Sequence, residues 1–179
     1  TPGCVFTDTA SVELAGPPVL NPFTDIQLCE GDSIQLVPTG TNLTGTFSWA
    51  PAGGLDNANI LAPIAFPTTS TSYTLTVTNS CGTTSGAINI NVTPPPIISS
   101  ITKTDVSCFG AGDGTATINF AGGATPFSFQ WNPAVGITQT VTTLGPGTYI
   151  GTVTDNNGCS SIDSVQILEP PILTLAFVS

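Results

Sequence analysis

The sequence predicts an all-β protein, and three features of its composition and pattern support that prediction. Met is absent, and Lys and Arg together contribute a single residue, so helix-favouring side chains are scarce. Thr, Val, Ile, Ser, Gly and Pro dominate, which is the usage of short strands and tight turns. Apolar and polar residues alternate in several segments, and no window shows a convincing period of 3.6 residues.

The alternating segments are the expected strands, and each is bounded by Gly, Pro, Asn or Asp. In chain order they read SIQLVP, SYTLTVTN, GAININV, GTATINF, TYIGTVTD and DSVQIL. Because successive side chains point to opposite faces of a strand, each segment has one face for a core and one for solvent.

The charge balance excludes several classes of function. Eleven acidic residues, one basic residue and no His give a net charge of -10. Such a surface repels phosphate backbones and anionic lipid, so we expect neither nucleic-acid binding nor direct membrane insertion. With no His or Arg and with Lys103 alone, neither a Ser-His-Asp triad nor an Arg-clamped phosphoryl site can be assembled. We therefore do not expect an enzyme.

Proline runs divide the chain at intervals of roughly 77 residues, which is the signature of an internal repeat. They lie at residues 17–18, 94–96 and 170–171. We expect two domains of one architecture, residues 19–93 and 94–171, joined by stiff Pro-rich linkers. The landmarks that recur in the same order are Cys29, Trp49, Tyr73 and Cys81, then Cys108, Trp131, Tyr149 and Cys159.

Residues 1–18 read as the end of such a domain. Cys4 stands where Cys81 and Cys159 stand, just before a strand and a Pro-Pro pair. We expect residues 1–18 to be the last strand of a preceding domain, and residues 172–179 to begin the next linker or domain. In the alternative interpretation, Cys4 bonds another subunit of a filament, and residues 5–14 are an exchanged strand that completes the sheet of a neighbouring chain.

The cysteines favour disulfides over a zinc site, because there is no His and no C-x-x-C pair. The simplest pairing is one bond in each domain, Cys29 with Cys81 and Cys108 with Cys159, which leaves Cys4 unpaired or intermolecular. Each bond would tie the start of a domain to the hairpin before its last strand, and we expect tension to pass through it.

The order Cys, Trp, Cys is similar to that of the immunoglobulin sandwich, in which a Tyr precedes the second Cys by two residues. Here the Tyr residues lie eight and ten residues before the second Cys. We therefore expect tandem immunoglobulin-like β-sandwich domains with displaced disulfides. The expected core anchors are Trp49, Trp131, Tyr73 and Tyr149.

Two stretches of the sequence resemble known families. DVSCFGAGDGTATINFAGGATPFSFQWNP with LGPGTYIGTVTDNNGCSSIDSVQILEPP, about residues 98–171, resembles the SprB-type repeat of gliding-motility adhesins, which are exported by the type IX system. CEGDSIQLVPTGTNLTGTFSWAPAGGL with FPTTSTSYTLTVTNSCG, about residues 25–93, resembles immunoglobulin-like or PKD-like domains of similar secreted proteins. The resemblance implies an extracellular cell-surface or filament protein whose repeats act as a stalk, with no catalytic residues.

Calcium is the only cofactor that the residues suggest, because oxygen-rich turns provide the ligands that a hard cation prefers. The candidate ligands are Asp113, Asp155 and Asp56. None of these turns has the D-x-D-x-D-G spacing of a dedicated loop, and turn chemistry explains them without metal.

Three Asp-Ser/Thr-aliphatic triplets resemble the O-glycosylation acceptor of bacteria that carry such adhesins. The hydroxyls concerned are those of Thr9, Ser33 and Ser164. Asp beside Ser is also common where strands begin, so local structure is an alternative explanation.

A carbohydrate-binding module of a secreted enzyme is the alternative function, with surface polysaccharide as its ligand. Phe127, Phe129 and Trp131 alternate, so they are expected on one face of a strand, where they would form a sugar platform. The competing interpretation assigns that face to the interior of the sandwich. We expect the main partners to be neighbouring repeats of the same polypeptide or identical filament subunits.

Overall fold

The computed structural model describes residues 16–173, and it confirms the predicted all-β fold. This part of the chain contains strands and turns but no helix. The strands are β1 Val19–Leu20, β2 Ile26–Cys29, β3 Ile34–Gln35, β4 Gly40–Thr41, β5 Thr46–Ala50, β6 Ile64–Ala65, β7 Thr71–Asn79, β8 Gly82–Thr93, β9 Ile97–Thr104, β10 Gly114–Ala121, β11 Ser128–Asn132, β12 Thr140–Leu144, β13 Gly147–Thr154 and β14 Ser160–Ile167.

The described residues form two compact units. The first comprises residues 16–26, 33–66 and 72–90, and the second comprises residues 27–32, 67–71 and 91–173. No helix long and apolar enough to cross a membrane occurs between residues 16 and 173.

The first unit is organised around β5, β7 and β8, which belong to a four-stranded sheet of order β2-β8-β7-β5. Alternate residues of β7 are buried, namely Tyr73, Leu75 and Val77, as the period of two in the sequence predicts. Two short antiparallel pairs, β1 with β4 and β3 with β6, complete the unit.

The second unit contains two three-stranded antiparallel sheets, with orders β12-β10-β9 and β11-β13-β14. Buried side chains of both sheets form one core, so the sheets pack face to face as a β-sandwich. The fully buried members of this core are Val106, Ala116, Ile118, Trp131, Val141, Leu144, Tyr149 and Ile167.

The two tryptophans occupy equivalent places in the two units. Trp49 lies on β5, and Trp131 lies on β11, which pairs with β13 as β5 pairs with β7. The exposed fractions of their side chains are 2% and 1%. The indole Nε1 of Trp49 donates to the Ile60 carbonyl at 3.1 Å, and that of Trp131 donates to the Thr138 carbonyl at 3.0 Å. Each indole therefore fills a core while its polar N–H is satisfied.

The tyrosines repeat in the same way. Tyr73 on β7 and Tyr149 on β13 are buried, and their hydroxyls donate to the carbonyls of Gly53 at 2.8 Å and Gly145 at 3.1 Å. Burial raises the pKa of the Tyr73 hydroxyl. Both hydroxyls thus donate to a loop carbonyl.

Candidate functional site

The disulfide pairing expected from the sequence is wrong. Cys29 bonds Cys159 rather than Cys81, with a Cα–Cα distance of 5.5 Å and a sequence separation of 130 residues. Cys108 therefore does not bond Cys159, and both Cys81 and Cys108 are exposed. Both bonded cysteines belong to the second compact unit, because residues 27–32 are part of it. The pairing depends on which cysteines lie close together in the folded unit, and the spacing of the repeats in the sequence does not determine those distances.

Asp155 builds the loop that presents Cys159. Its Oδ1 accepts from the backbone amides of Asn157 and Cys159, both at 2.9 Å, and its Oδ2 accepts from the amide of Ala124 at 3.0 Å. The backbone closes the same turn, since the Asp155 amide donates to the Cys159 carbonyl at 2.9 Å. The side chain of Asp155 is only 6% exposed. This carboxylate therefore fixes the position of the buried Cys159.

The electrostatics of Asp155 follow from these contacts. Burial raises its pKa, but hydrogen bonds from four backbone amides, of Ala124, Cys159, Asn157 and Gly158, outweigh burial and leave the pKa below its usual value. The loop therefore favours the ionised carboxylate.

Cys29 is held by the turn that follows β2. The amide of Asp32 donates to the Cys29 carbonyl at 3.0 Å, and Gly31 adopts a φ of 92°, which a side chain would disfavour. The amide of Glu30 donates to the carbonyl of Thr93, the last residue of β8, at 2.9 Å. The hydroxyl of Thr93 lies 3.5 Å from the Cys159 Sγ. The disulfide thus lies beside Thr93, the residue that precedes the proline run at residues 94–96.

The three calcium candidates have carboxylates that already accept backbone hydrogen bonds. Asp56 accepts from the amides of Asn57 and Ile64 at 2.7 and 2.8 Å. Asp113 accepts from the Ser107 amide at 2.9 Å, and hydrogen bonds from the Ser107 side chain and backbone lower its pKa. Residues 16–173 contain no group of three or more His, Cys, Asp and Glu side chains that could hold a metal ion. These contacts are those of structural turns, and calcium binding stays a prediction.

The glycosylation candidates are placed as follows. Ser33 and Ser164 are exposed, with Ser33 immediately before β3 and Ser164 on β14. Asp163 accepts from the Ser164 amide at 2.7 Å, so the Asp-Ser pair also has a local structural role. Thr9 and Cys4 lie outside the described residues, as do the predicted exchanged strand and the residues after 173. Modification stays a prediction.

The proposed sugar platform is packed against the protein. Phe127 and Phe129 are half-buried, and both make edge-on contacts with Phe120, with ring centroids 4.8 and 5.7 Å apart. Trp131 is buried in the core. Trp131 is therefore an interior residue, whereas Phe127 and Phe129 stay partly exposed, and saccharide binding stays a prediction.

Two features of the site were not predicted from the sequence: the role of Asp155 in positioning Cys159, and the disulfide partner of Cys29. The sequence predicted a hairpin before the last strand, but not that the Asp155 carboxylate would position a bonded cysteine. The sequence also held a usable signal for Cys29: the pattern C-x-G recurs at Cys108, so both cysteines open a turn with Gly two residues later. That pattern marks equivalent positions, although it does not identify their partners.

Known proteins are similar to this chain in a part of its sequence and in its fold. Residues 100–136 match the family model of the SprB repeat. No curated protein matches the sequence.

Several solved structures align with this chain. The N-terminal eight Ig domains of the Down Syndrome Cell Adhesion Molecule, isoform 1.30.30, align with a TM-score of 0.61 at 13% identity, covering 86% of this chain and 24% of that one. Extracellular domains 3–5 of Drosophila OTK align with a TM-score of 0.47 at 15% identity, covering 88% and 61%. An I-band fragment of titin aligns with a TM-score of 0.40 at 16% identity, covering 85% and 65%.

The first of these alignments shows an immunoglobulin fold, and the sequence match is a similarity of residues 100–136 to the SprB repeat. The identifications made from the sequence are confirmed for both segments. Residues 100–136 are similar to the SprB repeat, and the fold of the chain is that of immunoglobulin-like β-sandwiches.

Proposed function

We propose that this chain is a structural segment of an exported bacterial surface adhesin, in which it serves as a disulfide-stapled stalk that transmits force and presents a distal binding region. SprB repeats and immunoglobulin-like adhesion domains indicate a surface-exposed protein, and families of this kind are typically not enzymes. The Cys29–Cys159 bond supports an oxidising, extracellular setting.

The observation that carries the proposal is the separation of 130 residues between the bonded cysteines. A pull applied before Cys29 and after Cys159 passes directly from one sulfur to the other. The chain between the two cysteines is then outside the loaded covalent path. Unfolding of that chain therefore cannot lengthen the stalk while the bond is intact.

The proposal also assigns partners. Neighbouring repeats of the same polypeptide, or identical subunits in a filament, adjoin the chain in series. Sparse basic residues and dispersed acidic ones keep such an array soluble and leave one site, Lys103, for trypsin-like proteases. O-glycans at Thr9, Ser33 and Ser164 belong to this proposal as expected modifications.

The test uses cells that display the protein. A bead is attached through an antibody against the segment before Cys29 and is loaded by flow. Cells carrying Cys29→Ala/Cys159→Ala should show longer bead excursions than wild type at equal surface abundance, because the bypassed chain becomes extensible. Gly151→Ala is the matched control, since it weakens the same unit and keeps the bond. Equal excursions for the double variant and wild type would refute the load path, and an antibody that binds lysed cells but not intact cells would refute the surface location.

A further inference from the structure

Cys108 and Cys29 occupy the same local structure in successive sequence repeats. The amide of Ala111 donates to the Cys108 carbonyl at 3.0 Å, as the amide of Asp32 does to the Cys29 carbonyl. The Gly two residues after each cysteine has a positive φ, 77° at Gly110 and 92° at Gly31. Both cysteines therefore open the same kind of turn, and we call them opening cysteines.

Each opening turn is also tied to the residue before a proline run. The amide of Glu30 donates to the Thr93 carbonyl at 2.9 Å, and Pro94 follows Thr93. The amide of Gly110 donates to the Glu169 carboxylate at 2.6 Å, and Pro170 follows Glu169. Both opening turns thus donate an amide hydrogen bond to the residue before a proline run, to the backbone carbonyl of Thr93 in one repeat and to the side chain of Glu169 in the next.

At the Thr93 end, the hairpin that carries Cys159 lies beside the opening turn of Cys29. The Cys159 Sγ lies 3.5 Å from the Thr93 hydroxyl. Just beyond the prolines, the Ile98 amide donates to the Ser161 hydroxyl at 3.5 Å. Cys159 belongs to the sequence repeat that follows the repeat of Cys29, so the bond joins the opening cysteine of one repeat to the closing cysteine of the next.

At the Glu169 end, the described residues leave this position open. A pocket of about 430 Å³ lies there, beside the exposed thiol of Cys108. Phe109 is 56% exposed, and Leu173, the second residue after its proline run as Ile98 is after residues 94–96, is 89% exposed. The pocket is lined by Ser107, Cys108, Phe109, Pro170, Pro171, Ile172 and Leu173. An apolar surface beside an accessible thiol is the surface that a closing hairpin would cover.

We propose that Cys108 forms a disulfide with the closing cysteine of an adjoining SprB-type repeat, seated in this pocket as the Cys159 hairpin is seated beside Thr93. The bond continues the linkage seen at Cys29, so that each repeat is joined covalently to its neighbour. The occupant is a hairpin like Asp155–Ser161, with Gly-Cys at its tip. This inference rests on the proposed arrangement of repeats in series.

The chemistry is thiol–disulfide exchange. The two thiols lose two protons and two electrons as one S–S bond forms, and the electron pair reduces the active-site disulfide of a thiol–disulfide oxidoreductase in the exporting compartment to a dithiol. Both protons end on that dithiol.

The test is nonreducing peptide mapping of the native full-length protein, alkylated at lysis and cut with an Asp-directed protease. The expected result is a Cys108 peptide linked to a peptide that carries a Gly-Cys closing motif from another repeat. In Cys108→Ser protein, that linked pair should be lost while the Cys29–Cys159 pair is kept. A Cys108 peptide recovered alkylated, capped by a small thiol, or linked within residues 16–173 or to an unrelated protein would overturn the inference.

The same map separates this inference from the proposed function. A Cys29–Cys159 pair beside an alkylated Cys108 would refute only the linkage to the next repeat. Absence of the Cys29–Cys159 pair would refute the stapled stalk itself.

Discussion

Gly151 shows how closely single residues are packed around the tryptophan of the second unit. It lies opposite Trp131 in the β11–β13 pair, and a Cβ at this position would come within 2.9 Å of Ile118 and 3.1 Å of the Trp131 ring. Overpacking of this kind costs roughly 1–3 kcal/mol, so Gly151→Ala should lower the free energy of unfolding in urea by that amount. Gly145→Ala is the control, because nothing lies within 4 Å of the added methyl. Equal losses for the two variants would show that packing on Trp131 is not the cause.

The Asp155 carboxylate should make part of the free energy of unfolding sensitive to acid. Because its pKa is lower in the folded protein than its usual value, its contribution is complete above about pH 4, the range of a free Asp, and is lost as the pH falls through the folded pKa. Asp155→Asn should be less stable than wild type at pH 6 and should lose less stability between pH 6 and pH 2. Urea unfolding at the two pH values measures this. An equal loss in both proteins would assign the acid sensitivity to other carboxylates, such as Asp105, whose pKa is lowered by the hydrogen bond from Lys103.

For single residues, the sequence predicted burial where apolar and polar residues alternate. It did not predict the role of a residue whose contacts are distant in the chain. The alternation around Trp131 predicted its burial, because a strand has only two faces. Asp155 lies in an evident turn, but the amide of Ala124 that it accepts from is 31 residues away. The composition of the turn therefore suggested a metal ligand, and it did not show that the Asp155 carboxylate accepts hydrogen bonds from a distant loop.

At the scale of the elements, the sequence predicted strands and their repetition but not the connection between cysteines. Repeat spacing places Cys29, Cys81, Cys108 and Cys159 in two classes, and a bond within a repeat and a bond between repeats fit that spacing equally well. The choice is made by the turn after β2, which hydrogen-bonds to Thr93 and so brings Cys29 to the hairpin before β14.

The stability contributed by this bond is the element-scale prediction. On the chain-entropy model, closing a loop of this length stabilises the protein by about 5 kcal/mol. Cys29→Ala/Cys159→Ala should therefore unfold at markedly lower urea than oxidised wild type, with a loss approaching that value for the second unit. Cys108→Ala is the control and should change stability little, because Cys108 is exposed. A double variant as stable as the control would mean that the bond adds little to folding.

For the whole molecule, the consequence of the pairing is mechanical. A bond within each repeat would protect each repeat separately, whereas the Cys29–Cys159 bond removes most of two sequence repeats from the loaded path at once. The proline runs predicted the repeat and its stiff joints, and the fold followed from alternation. The number of residues that the disulfide removes from the loaded path could not be predicted, because it depends on which cysteines lie close together in the folded chain.

The most direct test is to stretch the full chain in a single-molecule force experiment by its two ends, before and after complete reduction. Because the bonded Cα atoms are 5.5 Å apart and 130 residues separate them, reduction should add about 430–470 Å of contour length at roughly 3.3–3.6 Å per residue. A gain of about 340–370 Å would instead match two within-repeat bonds, which together enclose about 100 residues. That result, or no gain at all, would contradict a stalk bypassed by Cys29 and Cys159.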